Sequence, residues 1–112
     1  MIRKSLAALF LVLACAMGMS AWAAPDPDKA TIVIGATAGP YADQIKLGIK
    51  EILEKQGYRV KIVEFHDYVQ PNLALVDGAL DANVFQNRIY LKRFADDHKL
   101  DLAAIAPVPT SP

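Results

Sequence analysis

The chain has 112 residues, of which 54% are hydrophobic, with 12 basic and 12 acidic side chains. So even a balance leaves no basic stripe to hold a phosphate backbone, which argues against nucleic acid as a partner. A single cysteine, Cys15, cannot pair within the chain, so an internal disulfide is excluded.

Arg3 and Lys4 open the chain as a short basic region. Leu6 to Met19 is uncharged and mostly apolar, about fourteen residues against the roughly twenty a bilayer-spanning helix needs. Ser20-Ala21-Trp22-Ala23-Ala24 then places small residues where a signal peptidase reads them. The order of basic, apolar and small predicts a secretory signal peptide over residues 1–23. Two processing sites compete. Ala21-Trp22-Ala23 fits the small-x-small rule and would remove Cys15 with the leader. Val12-Leu13-Ala14-Cys15 resembles a lipobox, with Leu13 where a small residue is usual, and would leave Cys15 as a lipidated N-terminus. Taking Arg3 and Lys4 from the twelve basic residues leaves ten against twelve acidic, a net of about −2. No later apolar run approaches the length of a membrane span.

Residues 24–30 form a polar, proline-broken lead-in, and a small domain follows over 31–108. Thr31-Ile32-Val33-Ile34-Gly35 is β-branched with no polar gap, which predicts a strand buried on both faces of a parallel sheet. Gly39-Pro40 breaks the chain, with Pro40 suited to the first position of a helix. Tyr41 to Gln56 has helical period, with Ile45, Ile49, Ile52 and Leu53 on one face and Gly57 as the stop. Arg59 to Phe65 reads as a second strand and Pro71 to Val76 as a short helix ended by Asp77-Gly78. Leu80 to Phe85 reads as a third strand and Gln86 to His98 as a helix with Ile89, Tyr90, Arg93 and Phe94 at helical spacing. Leu102 to Val108 is a last apolar segment, expected as a fourth strand. Residues 109–112 close a proline-rich stretch that reads as a linker or a truncated end. Alternating strands and helices predict an α/β fold with a mainly parallel sheet and flanking helices. Ligands of such sheets sit at the carboxyl ends of the strands. Here those ends are Gly35-Ala36-Thr37, Phe65-His66-Asp67-Tyr68 and Phe85-Gln86-Asn87.

Catalytic patterns are thin. His66 and Asp67 are adjacent, so in extended chain they point to opposite faces and make a poor pair. His98 lies in the charged stretch Asp96-Asp97-His98-Lys99, expected as a solvated helix end. No histidine or cysteine spacing suits a metal, and Gly35 and Gly39 alone form no phosphate-binding loop. No Gly-x-Ser-x-Gly nucleophile turn is present. These absences argue against a metal-dependent or nucleophilic enzyme and imply no cofactor. Aromatic and amide residues do gather around two strand ends: Tyr68, Asn72, Phe85, Gln86, Asn87 and Tyr90. An apolar wall with a few amides suits a small zwitterion with an apolar side chain. The competing account makes Phe85 and Tyr90 core residues and the amides turn formers.

Val63-Glu64-Phe65-His66-Asp67-Tyr68-Val69-Gln70-Pro71-Asn72-Leu73-Ala74-Leu75 resembles the Phe-x-Asp-Tyr-x-x-Pro-Asn stretch of the NlpA family. Asp77 to Gln86 resembles that family's next block, and Gly35-Ala36-Thr37 its Gly-Ala-Thr after the first strand. The resemblance implies a methionine-binding lipoprotein of an ABC importer, exported to the periplasm. It would work with the importer's membrane subunits, perform no chemistry and need no cofactor. It also implies a type II periplasmic-binding-protein fold of two α/β lobes that close on the ligand. This chain would supply an incomplete first lobe, matching about the first two-fifths of the family. By the same resemblance, ligand contacts fall on Tyr68, Phe85 and Tyr90, with aromatic faces for the thioether. Asn87 stands where the family has histidine, and could hydrogen-bond a carboxylate. Ile89 replaces a proline. The expectation is a receptor for methionine or a related small amino acid that binds weakly or not at all by itself. Its small size and open sheet edges would favour marginal stability and self-association. A non-binding periplasmic or membrane-tethered interaction fragment is the alternative, and a small periplasmic enzyme a more distant one.

Overall fold

The computed structural model describes residues 25–109. The expected leader 1–23, with Cys15 and both processing sites, lies outside the described residues.

Among the described residues, three parallel strands form one sheet. β1 (Thr31–Thr37) pairs with β2 (Arg59–Phe65) from Thr31 opposite Arg59 to Thr37 opposite Phe65. β3 (Ala82–Val84) lies on the other side of β1, with Ile34 opposite Ala82 and Ala36 opposite Val84. The order β2-β1-β3 puts the first strand in the middle. Its β-branched run, read from the sequence as buried on both faces, suits that position. The chain steps from β1 to β2 in one direction and then crosses back to β3. Right-handed crossovers on such a path put successive helices on opposite faces of the sheet. The reversal opens a crevice at the carboxyl ends of the strands.

One face is covered by a long helix in three parts: α1 (Pro40–Gln44), a π-helical turn (Ile45–Ile49) and α2 (Lys50–Lys55). Pro40 occupies the first turn as expected, and Gly57 follows the end at φ 94°. Ile34, Ala36, Ala42, Ile45 and Val60 form the core under this helix, with Ile49 and Leu53 packed against it. Ile52 was expected on the same face but is 59% exposed. The π turn explains the difference. Its extra residue sets every later side chain back by about 100°, one residue's share of an α-helical turn. Leu53 thereby takes the inward place that an uninterrupted helix would give to Ile52. Leu47 is likewise 79% exposed.

The opposite face of β1 carries Gly35, because side chains alternate along a strand. A Cβ at Gly35 would stand 2.5 Å from Leu80 Cδ1 and 2.9 Å from the Phe65 ring, so this position admits no side chain without movement. α3 (Gln70–Val76) links β2 to β3, and α4 (Arg88–His98) follows β3. β3 is shorter than the expected Leu80 to Phe85. Leu80 is buried before it and Phe85 after it, outside the ladder. The expected fourth strand is absent: residues 101–109 form no strand, and Ile105 is 87% exposed. An apolar segment becomes a strand only where a neighbour pairs with it, and none lies beside this one among the described residues. Its end is tied instead to the long helix, by Gln44 Nε2 donating to the Pro109 carbonyl at 2.7 Å.

Candidate functional site

The site is built on two loops at the carboxyl ends of the strands. The first runs from Phe65 to Val69 between β2 and α3. Asp67 closes it, its Oδ1 accepting from the backbone N–H of Val69 at 2.8 Å and of Gln70 at 2.7 Å. These are orphan donors at the start of α3, and a short acidic side chain satisfies them well. Tyr68, inside that turn, is directed outward and is 64% exposed. The second loop, Phe85-Gln86-Asn87, runs from β3 to α4. Asn87 caps α4, its Oδ1 accepting from the Tyr90 N–H at 2.8 Å. That bond commits the oxygen, so the amide it can offer to a ligand is the Nδ2 donor.

The loops meet through aromatic rings. Tyr68 lies nearly parallel to Phe85, with centroids 6.4 Å apart and planes 11° from one another. Tyr90 meets Phe85 edge-on at 5.9 Å and 77°. Offset-parallel and edge-to-face contacts are the favoured arrangements of aromatic quadrupoles. The Tyr90 hydroxyl donates to the Tyr68 backbone carbonyl. The row continues along α4, from Tyr90 to Phe94 at 5.9 Å and from Phe94 to His98 at 4.0 Å. His98, expected as part of a solvated end, stacks on Phe94 at 15°, and its Nδ1 lies 2.9 Å from the Phe94 carbonyl. Phe85 is 6% exposed and forms the floor, while Tyr68, half-buried Tyr90 and exposed Asn87 form the rim. The four residues expected at the site, Tyr68, Phe85, Asn87 and Tyr90, are thus brought together at the end of the sheet.

The other two amides lie beneath them. Asn72 is fully buried. Its Nδ2 donates to Gln86 Oε1 at 2.8 Å, and Gln86 Nε2 donates back to Asn72 Oδ1 at 2.9 Å. Asn83 completes the group, its Nδ2 donating to Asn72 Oδ1 and to the Pro71 carbonyl, both at 3.0 Å. Asn72 and Gln86 are therefore struts joining α3 to the second loop, and the expectation that they line the wall is corrected. Asn83 escaped the sequence reading. The available signal was an amide in the middle of an apolar strand, which must find a buried partner.

Surface ion pairs shift the ionisation of several charged groups. Glu64, near the end of β2, is held below the usual carboxylate range by its hydrogen bond from Lys46 and by that residue's charge, with a smaller contribution from His66. Lys46 is raised in return, chiefly by the same hydrogen bond. On α2, the hydrogen bond from Lys55 lowers Glu51, and on α4 Asp96 raises Lys92. A shallow depression along α4, lined by Ile89, Lys92, Arg93, Asp96 and Asp97, is a charged surface apart from the aromatic shelf.

The sequence of residues 32–112 matches the model of the NlpA lipoprotein family. The chain belongs to that family. Outer membrane lipoprotein 2 of Mannheimia haemolytica is 40% identical over 78 residues, covering 70% of this chain and 28% of that protein. The D-methionine-binding lipoprotein MetQ of Escherichia coli is 35% identical over 80 residues, covering 71% of this chain and 30% of that protein. Among solved structures, a nutrient-binding protein from Burkholderia cenocepacia bound to methionine superposes with a TM-score of 0.56 at 41% identity. It covers 62% of this chain and 29% of that one. The chain therefore spans about three-tenths of the length of these relatives. The three-stranded parallel sheet with its helices corresponds to part of one lobe of such binding proteins, in line with the α/β architecture read from the sequence.

Proposed function

We propose that this chain supplies one wall of a methionine site in the substrate-binding component of an ABC importer. The parallel pair of Tyr68 over Phe85 at the strand ends carries the reading. Flat, polarisable ring faces suit a thioether, which gains from sulfur–aromatic contact as well as from leaving water. Asn87 would offer its Nδ2 donor to the ligand carboxylate, and Tyr90 would flank the side chain. Residues 31–108 would be the first-lobe portion, and residues 1–23 an export signal. The relatives' names add weight to an envelope location, lipid-anchored if Cys15 is acylated. The role is binding without chemistry, in partnership with the importer's membrane subunits.

The test is a nitrogen-15 NMR titration of the purified chain with L-methionine, D-methionine, norleucine and glycine. Such a titration detects even the weak binding expected of a single wall. The amides of Tyr68, Phe85 and Asn87 should shift with methionine, less with norleucine, which lacks sulfur, and not with glycine. Unmoved loop amides at millimolar methionine would remove the proposal.

A further inference from the structure

The resemblance makes Tyr90 a ligand contact, yet its hydroxyl is already engaged inside the protein. It donates to the backbone carbonyl of Tyr68, 22 residues earlier and on a different loop. Three contacts then close on themselves. The Tyr68 ring covers Phe85, Phe85 meets the Tyr90 ring, and the Tyr90 hydroxyl returns to the Tyr68 peptide. Without that last bond, little would hold Tyr68 in place. Asp67 restrains the N–H groups of Val69 and Gln70, not the Tyr68 carbonyl. Burial does not hold it either, because Tyr68 is 64% exposed. Exposed loop residues with few buried contacts are the first to open locally.

We propose that Tyr90 is a positioning residue, its phenol tethering the Tyr68 carbonyl to α4 and so keeping the Tyr68 ring parallel over Phe85 before a ligand arrives. The inference rests on reading that shelf as the methionine side-chain site. The Tyr68 ring would already stand in its place beside Phe85, so binding need not order the loop. Preorganisation of this kind raises affinity by lowering the cost of immobilisation. The competing role, a hydroxyl pointed at the ligand, would require the phenol to leave a partner it already has.

Tyr90→Phe removes the hydroxyl and keeps the ring against Phe85 and Phe94. Two readouts separate the roles. The first needs no ligand: the carbon-13 shift of the Tyr68 carbonyl and the backbone order parameters of residues 66–69. The second is methionine affinity from the same NMR titration. A tether predicts that the carbonyl shift moves, that order falls in 66–69 alone, and that affinity drops roughly threefold to tenfold, the range of one neutral hydrogen bond. Affinity should fall by the fraction of time the loop is out of place. An unchanged carbonyl and loop with weakened binding would show a direct ligand contact and overturn the proposal. A loosened loop with unchanged affinity would leave a merely structural bond and overturn it as well. If the unsubstituted chain gives no response to methionine, the functional reading falls by itself and the positioning role falls with it, whatever the ligand-free readout shows of the bond.

Discussion

The two sides of β1 are held by different physics. Toward β2, seven consecutive residues pair from Thr31–Arg59 to Thr37–Phe65, and Ile34, Ala36, Ile45 and Val60 bury a common apolar core. Toward β3 only three residues pair; Val84 still packs against the core and Leu80 and Phe85 are buried beside it, and directional polar contacts are added to that packing. Asp81 is joined to Val33 twice, its Oδ2 accepting from the Val33 N–H at 2.7 Å and its own N–H donating to the Val33 carbonyl at 2.8 Å. The Asn72–Asn83–Gln86 amides then fasten the following loop. Apolar packing tolerates exchange between shapes of similar volume, whereas an amide network has one satisfied arrangement. The candidate site stands on the second kind of support, where the position of Phe85 and Asn87 depends on bonds with defined directions.

Substitutions on each side can break that contrast. The largest loss is expected from Asn72→Leu, which is similar in size but leaves Asn83 and Gln86 without their shared partner. A cost of about 2–4 kcal/mol follows from stranding amides in a part-buried place, and denaturant unfolding would measure it. A change near zero would mean that the cluster is satisfied by water and that the β3 side is no more directional than the other. Gly35→Ala comes next, because its Cβ would meet both Leu80, just before β3, and the Phe65 ring of β2, on the sheet face away from the long helix. Overpacking of about 1–3 kcal/mol is expected in the same assay, or somewhat less if Leu80 adopts another rotamer. The smallest effect belongs to the exposed pair Lys46–Glu64 on the β2 side. The lowered ionisation of Glu64 means that the pair stabilises the fold above the ordinary carboxylate value of 4.5 and loses that contribution as pH falls through the lower folded value. Glu64→Gln should therefore flatten the acid limb of a thermal-midpoint profile slightly, and less so in high salt. A large change would show that this side, too, leans on charge.

Much of the fold was legible because it depends on local pattern. The β-branched run at Arg59 to Phe65 became β2 with the bounds read from it. β1 ran two residues further than expected, since Ala36 and Thr37 find partners in Glu64 and Phe65. The helix after Gly39-Pro40 and the αL glycine at Gly57 followed from residues whose backbone preferences are strong. The π turn did not show, because the apolar spacing from Ile45 to Leu53 satisfies an ordinary helical period as well as a bulged one. Tyr68, Phe85, Asn87 and Tyr90 do gather at the strand ends where the sequence places them. Their division of labour was not visible, because the hydroxyl of Tyr90 and the oxygen of Asn87 find their partners only in three dimensions.

The sequence by itself determined the family, the parallel α/β character and the loops on which the site would stand, since these follow from periodicity, turn chemistry and motif. Tertiary structure alone decided which amides face outward and which are struts, that Leu102 to Val108 finds no strand partner among the described residues, and that Ile52 yields its inward place to Leu53. Each depends on what lies opposite a residue in space, and one-dimensional order does not carry that information.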